Sequence, residues 1–385
     1  LKNKSLKRFG LITNNTIRQI LISVFSAVIP FLVIHYSSKM IWGSFVSLFL
    51  YSLLAVQIIN WGNKEYLLRQ FSMYPREIAT NFSENITTRF PLVILFSVIG
   101  LFFFPISFGF WVLIWLLGRY LNHSVEALVL YQKKFNASIL IEVISFFVFG
   151  VTFYLLKENI SVYILLVLYS SYQLLKGLLY FIVFRSYFLM KKAVVKISFF
   201  KASFSFFVLS VMGFLVSKID VYIIEKFGDT IITADYQIIN SLLVFSMSVA
   251  TFVYAPFTKM IYRNTDDVIA KSKKSMALIG LLIVPAALFC IFFIVEWYLK
   301  THLPFFFYLI AFLYIYPSYV YGLDIVNLFK QHREKTVVKY LFIGVIMNAL
   351  LSSLFLQMHW GITGALLGSA VTQLVVLVLF KSIKN

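Results

Sequence analysis

Long apolar runs separated by short polar gaps set the pattern of this chain. The runs fall at Ile20 to Tyr36, Met40 to Trp61, Phe90 to Ser107, Phe108 to Tyr131, Ala137 to Leu156 and Ser161 to Phe184 in the first half. In the second half they fall at Phe204 to Lys226, Gln237 to Met260, Met276 to Leu299, Phe305 to Phe329, Tyr340 to Met358 and Gly361 to Phe380. Each holds roughly 17 to 25 residues, which is what a helix rising about 1.5 Å per residue needs to cross ~30 Å of hydrocarbon. The pattern predicts an all-α polytopic membrane protein of about twelve transmembrane helices. The longest polar stretch, Asn63 to Arg89, is too short for a soluble domain, so the chain acts within the bilayer or at its surface.

Composition agrees: 61% of the 385 residues are hydrophobic and only 13% charged, far from the usage of a water-soluble domain. The single cysteine, Cys290, lies in an apolar run and excludes an intrachain disulfide. The five histidines are scattered without ligand spacing, so no metal site is expected. A net charge of +19 would suit a nucleic-acid binder, but the positions of the basic residues decide otherwise. One set of gaps carries Lys2, Lys4, Lys7, Arg8 and Arg18; Lys64, Arg69, Arg76 and Arg89; Lys133 and Lys134; Arg185, Lys191, Lys192, Lys196 and Lys201; Lys259, Arg263, Lys271, Lys273 and Lys274; Lys330, Arg333, Lys335 and Lys339; and Lys381 and Lys384. The opposite gaps hold only Lys39, Lys157, Lys226 and Lys300. By the positive-inside rule both termini are expected in the cytoplasm, and no nucleic-acid partner is expected. The amino terminus resembles a signal peptide, but no small-residue cleavage site follows His35 to Ser38 and a second run begins at once, so the first helix is expected to stay uncleaved. Phosphate-loop, His-Glu-x-x-His and Gly-x-Ser-x-Gly motifs are absent, and the outer gaps are only a few residues long. Neither an enzyme nor a cofactor is expected.

Polar residues inside the runs carry the candidate chemistry, because an ionisable group in hydrocarbon costs a few kcal/mol or more and needs a partner or a wet cavity. Arg119, His123 and Glu126 share one helix face, with Arg119 near the membrane midplane. Arg119 either lines a cavity or pairs with Glu126 or Glu142. Tyr169, Gln173, Lys176 and Tyr180 share a face of the sixth run. Lys176 is a candidate anion contact, although its stem is long enough to snorkel. In the seventh run Lys218 is a candidate anion contact and Asp220 a candidate coupling or gating carboxylate; two residues apart, they are expected to point to different faces. Glu142, with Ser138 and Ser145 at helical spacing, reads as a satisfied buried acid or a second gating carboxylate, and Asp324 with Asn327 as a satisfied polar pair. Pro30, Pro256, Pro285 and Pro317 interrupt runs where a kink can form, and Gly364 with Gly368 makes a small face for close helix packing.

The runs divide into two sets of six about the basic segment Arg185 to Lys201, giving expected lobes at 1–190 and 191–385. Four stretches then resemble the polysaccharide flippases of the multidrug/oligosaccharidyl-lipid/polysaccharide superfamily, most of all the O-antigen (Wzx-type) transporters. They are Gly62 to Ser72, with Leu67-Leu68-Arg69-Gln70-Phe71-Ser72 like the family's inner loop; Lys218-Ile219-Asp220-Val221 to Tyr236, with Gly228 at the turn; Gln331-His332-Arg333-Glu334-Lys335-Thr336; and Gly361-Ile362-Thr363-Gly364-Ala365. The resemblance implies a MATE-like pair of six-helix lobes in a bacterial inner membrane. Between them a cavity would move an undecaprenyl-diphosphate-linked oligosaccharide, with a glycan polymerase and chain-length machinery as partners. Arg119, Lys176 and Lys218 would meet the cargo, and Asp220 and Glu142 would couple or gate. A multidrug antiporter of the same superfamily and a glycan-assembly enzyme or scaffold are the rival readings.

Overall fold

A computed structural model describes residues 2–189, 194–254, 266–331 and 333–382. Twelve helices of 21 residues or more run through them. They are α1 (Lys2–Tyr36), α2 (Lys39–Asn60), α3 (Ile78–Gly100), α4 (Ile106–Gln132), α5 (Phe135–Leu156), α6 (Val162–Val183), α7 (Phe204–Phe227), α8 (Thr230–Tyr254), α9 (Asp266–Phe293), α10 (Phe305–Lys330), α11 (Glu334–Gln357) and α12 (Gly361–Lys381). No strand occurs among the described residues. Ten spans are long and apolar enough to cross a membrane by length and composition alone. The remaining two long helices are α4, which holds Arg119, His123 and Glu126, and α8, whose end adjoins residues outside those described. Lys191, Lys192, Pro256, Lys259, Arg263, His332 and Lys384 also lie outside the described residues, as does the expected division at 190/191.

One boundary differs from expectation. The third helix starts at Ile78 rather than near Phe90, and a short helix, Asn63–Met73, precedes it. Hydropathy misplaced this start because Asn85 and Arg89 are polar, yet both are buried in the helix bundle. Arg89 donates to Asn85 Oδ1 at 3.0 Å, the Ile59 carbonyl at 3.3 Å and Ser124 Oγ at 2.9 Å, and its guanidinium lies over the Tyr120 ring. Its donors are thus satisfied inside the protein, where the residue counted as a loop charge instead ties α2, α3 and α4 together.

Contacts divide the chain into two compact units, Leu1–Val211 and Met212–Asn385. In the first unit the most extensive helix pair is α4 with α6. Glycines bring the two backbones together: a Cβ on Gly118 would lie 2.4 Å from the Gln173 carbonyl carbon, and one on Gly177 would lie 2.7 Å from the Gly118 carbonyl oxygen. Around this contact Trp115 stacks on Phe45, and its ring centroid lies 4.7 Å from that of Tyr169. Gly118→Val is therefore expected to force the helices apart at a cost of about 1–3 kcal/mol. Thermal unfolding of the purified variant checks this, and an unchanged midpoint would contradict the packing described.

Elsewhere in this unit α2 stops abruptly because Trp61 and Gly62 take left-handed conformations, with φ of 45° and 65°. A Cβ on Gly62 would meet Phe206 Cβ at 2.6 Å, so position and conformation both require glycine. Trp61 stacks on Phe207 and donates to the Phe200 carbonyl at 3.0 Å, locking the turn onto the segment that leads into α7.

In the second unit α12 packs most extensively on α11 and α10. The small face predicted from Gly364 and Gly368 does meet a neighbour: a Cβ on Gly368 would lie 2.5 Å from Ser352 N, and one on Gly364 3.0 Å from Phe355 Cβ. Pro30, Pro285 and Pro317 sit inside continuous helices.

Candidate functional site

Two buried polar networks occupy the helix interiors, one in each unit. In the first unit, Arg18 of α1 is 1% exposed and forms a two-pronged pair with Glu126 of α4, at 2.6 and 3.1 Å. Its Nε donates to Ser138 Oγ of α5 at 2.7 Å. Ser138 in turn hydrogen-bonds the Tyr180 hydroxyl of α6, and that hydroxyl donates to Glu142 Oε1 at 3.3 Å. The other Glu142 oxygen lies 2.6 Å from Lys176 Nζ. The chain Glu126–Arg18–Ser138–Tyr180–Glu142–Lys176 thus crosses four helices. Planar guanidinium and carboxylate match in fork geometry, and the serine and tyrosine hydroxyls carry the remaining hydrogen-bond capacity between the two ion pairs.

This arrangement occupies both acids that were open as partners for Arg119. Glu126 is paired with Arg18 and Glu142 with Lys176, so neither is the hydrogen-bonded partner of Arg119. Arg119 Nε is buried with no hydrogen-bond partner, and no ion pair of Arg119 occurs among the described residues. On the facing helices Gln173 Oε1, Ser145 Oγ and Ser170 Oγ are buried without partners as well. Fixed polar groups in an apolar bundle are costly unless something occupies them. Among the described residues, Arg89 and Arg119 are the embedded arginines of this unit without a carboxylate; Arg89 spends its donors on protein oxygens, and Arg119 does not.

In the second unit Asp220 of α7 is fully buried. Its Oδ2 accepts from the Tyr236 hydroxyl at 2.5 Å, Ser369 Oγ at 2.8 Å and Asn240 Nδ2 at 3.3 Å, while Oδ1 accepts from Val221 N–H at 2.9 Å. Lys218 Nζ donates to Asn240 Oδ1 at 2.7 Å. Lys218 and Asp220 were expected to point to different faces; instead both meet Asn240, because the lysine stem is long and Asn240 reaches both side chains. Ser369 Oγ also lies 3.1 Å from Asn348 Oδ1, and Ser352 donates to the same oxygen at 2.8 Å, extending the network across α7, α8, α11 and α12.

Of the residues chosen from sequence, the structure joins Lys176 to Glu142 and Lys218 to Asp220 through Asn240, and leaves Arg119 beside the Gly118–Gly177 contact. Sequence reasoning missed Arg18 and Asn240. Arg18 was counted with the basic tail, although Ile17 and Ile20 flank it at the mouth of an apolar run. Asn240 is one polar residue in the run Gln237 to Met260, a weak signal by itself. No group of three or more potential metal ligands occurs among the described residues.

Comparison with solved structures places this geometry in a known fold. The inward-facing structure of a multidrug resistance MATE family transporter of the MOP superfamily aligns over 94% of this chain and 92% of its own, at TM-score 0.65 and 10% identity. A eukaryotic MATE transporter, AtDTX14, aligns over 98% of this chain and 94% of its own, at TM-score 0.59 and 13% identity. The inward closed conformation of the lipid II flippase MurJ aligns over 98% and 86%, at 15% identity and TM-score 0.46, too low to add to the assignment. The chain therefore has the fold of MATE transporters, an all-α multi-pass membrane architecture. No family model matches the sequence, and no curated protein matches it significantly.

Proposed function

We propose that this protein is a flippase that carries an undecaprenyl-diphosphate-linked oligosaccharide across a bacterial inner membrane by alternating access. Its lobes are residues 1–190 and 191–385, and both termini are cytoplasmic. The observation that carries the reading is Arg119, a membrane-embedded guanidinium whose Nε is buried and unpartnered in a MATE-like fold. A diphosphate supplies the acceptor oxygens this group lacks, and a guanidinium binds phosphate oxygens in two-pronged fashion. Lys176 and Lys218 add positive charge, tyrosine rings offer hydrogen bonds and stacking surface to sugars, and the prenyl tail stays in lipid. The fold is shared with multidrug transporters, but a cationic drug would be repelled by Arg119, whereas an anionic cargo is attracted.

Reconstitution into liposomes tests the reading directly: purified protein should move a labelled undecaprenyl-diphosphate-linked oligosaccharide between leaflets. Failure to move it while a cationic dye is exchanged would replace this reading with the multidrug one.

Asp220 is the proposed coupling carboxylate, with Glu142 as a second gating acid. Protonation of Asp220 would remove a charge that Tyr236, Ser369 and Asn240 hold by hydrogen bonds, loosening α7 from α8 and α12. Asp220→Asn is expected to flatten the pH dependence of export at unchanged protein level. Wild-type pH dependence in that variant would reduce Asp220 to a packing role.

A further inference from the structure

At one end of the second unit, away from the Asp220 network, the first turns of α9 and the last turns of α10 and α12 line an open-mouthed cavity of about 210 Å³. That is well above the ~10–15 Å³ of such space that one water molecule needs. Lys273, Asp324, Asn327 and Lys381 line it. Lys273 Nζ lies 2.5 Å from Asp324 Oδ1, and Lys381 Nζ lies 3.5 Å from Asp324 Oδ2. Two ammonium groups therefore share one carboxylate, and the cavity keeps a net positive charge. Asp324 and Asn327 are 9% and 7% exposed, and Asp324 Oδ2 and Asn327 Oδ1 are both buried without a hydrogen-bond partner. Asp324 is thus held by two ion pairs, as a satisfied acid is, whereas the Asn327 carbonyl oxygen has no partner.

We propose that this cavity binds the phosphoglycerol headgroup of an anionic membrane lipid. The phosphodiester neutralises the charge left over on Lys273 and Lys381, as basic pockets between membrane helices do for anionic headgroups. The far end of the headgroup must serve Asn327 and Asp324 without adding positive charge beside two lysines. A hydroxyl does this, because it donates to a carboxylate or carbonyl oxygen and also accepts from an amide whichever way that amide is turned. An ammonium end group donates only, and brings a third cation into the cavity. The lipid source follows from the flanking surface. Leu278, Leu281 and Leu282 lie on α9 one to three turns beyond Lys273, and Val378 lies one turn before Lys381 on α12, all of them exposed and apolar. Acyl chains attached to a headgroup in the cavity have apolar helix surface to lie on. The site is independent of the transport reading.

Native mass spectrometry of the delipidated, full-length protein tests it, with phosphatidylglycerol, phosphatidylethanolamine and phosphatidylcholine of identical chains as probes. Phosphatidylglycerol should bind preferentially. Lys273→Gln and Lys381→Gln should each weaken it about tenfold, the size of one lost charge-assisted hydrogen bond. Lys381 is half exposed, so its variant keeps the fold even if Lys273→Gln does not. Equal binding of the three lipids, or undiminished phosphatidylglycerol binding to Lys381→Gln, would overturn the proposal. In competition, glycerophosphoglycerol should displace the lipid only weakly, because it lacks the chains. Displacement by inorganic phosphate at concentrations matching the lipid's own would reassign the cavity to a free anion and overturn the lipid proposal.

Discussion

Arg119→Ala is expected to abolish lipid-linked glycan export while the protein reaches the membrane in normal amounts. The expectation follows from what the side chain does not touch. Its Nε has no hydrogen-bond partner, and the two candidate acids, Glu126 and Glu142, are taken by Arg18 and Lys176. Removing Arg119 strands neither carboxylate, so the usual penalty for breaking a buried pair does not arise. On the proposed function, what is lost is the contact to the cargo, and each charge-assisted hydrogen bond to a phosphate oxygen is worth about 1.5–3 kcal/mol, a tenfold to hundredfold effect. Arg119→Lys keeps the charge without the fork and should retain part of the export. Export and abundance measured together decide the matter. If abundance falls in step with export in Arg119→Ala, or if export persists, Arg119 is not a cargo contact.

Arg18→Ala should behave in the opposite way, with collapse of the folded protein before any question of transport arises. Arg18 holds both oxygens of Glu126 and the Ser138 hydroxyl, so its loss leaves a carboxylate and a serine without their donor. Breaking one side of a buried pair costs about 3–5 kcal/mol, a large share of the ~5–15 kcal/mol that keeps a typical domain folded. Adding Glu126→Gln removes the stranded charge, so the double variant should recover most of the thermal stability lost in Arg18→Ala. Melting of the purified single and double variants provides the check. A double variant no more stable than Arg18→Ala would show that the pair is not coupled as the geometry has it.

The contrast between these two arginines shows where sequence reasoning stops. Each is an arginine at or within an apolar run; Arg18 has no acid near it in the sequence, and for Arg119 the sequence offered Glu126 because the two lie on one helix. In the fold the acid is met by a guanidinium from a helix more than a hundred residues earlier in the chain. Spacing along a helix reports only neighbours on that helix, whereas a buried charge takes whichever partner the packing brings closest. Lys218 and Asp220 make the same point in reverse: two residues apart on one helix, they are joined by Asn240 from another.

What the sequence determined by itself was everything that depends on local chemistry and length. A run of some twenty apolar residues has to be a helix in lipid, because no water is present to satisfy its backbone. The helical fold class and the order of the twelve helices follow from that, and so does the small face of the last helix. The tertiary structure alone decided where the third helix starts, since Asn85 and Arg89 lie in it only because Ile59, Ser124 and the Tyr120 ring receive the arginine. It also decided that Arg18 is core rather than tail, that Arg119 is left without an acid, and that Asn327 borders a cavity with an acceptor to spare. All of these depend on the satisfaction of polar groups across helices, and a buried polar side chain is stable or costly according to neighbours that no single stretch of sequence contains.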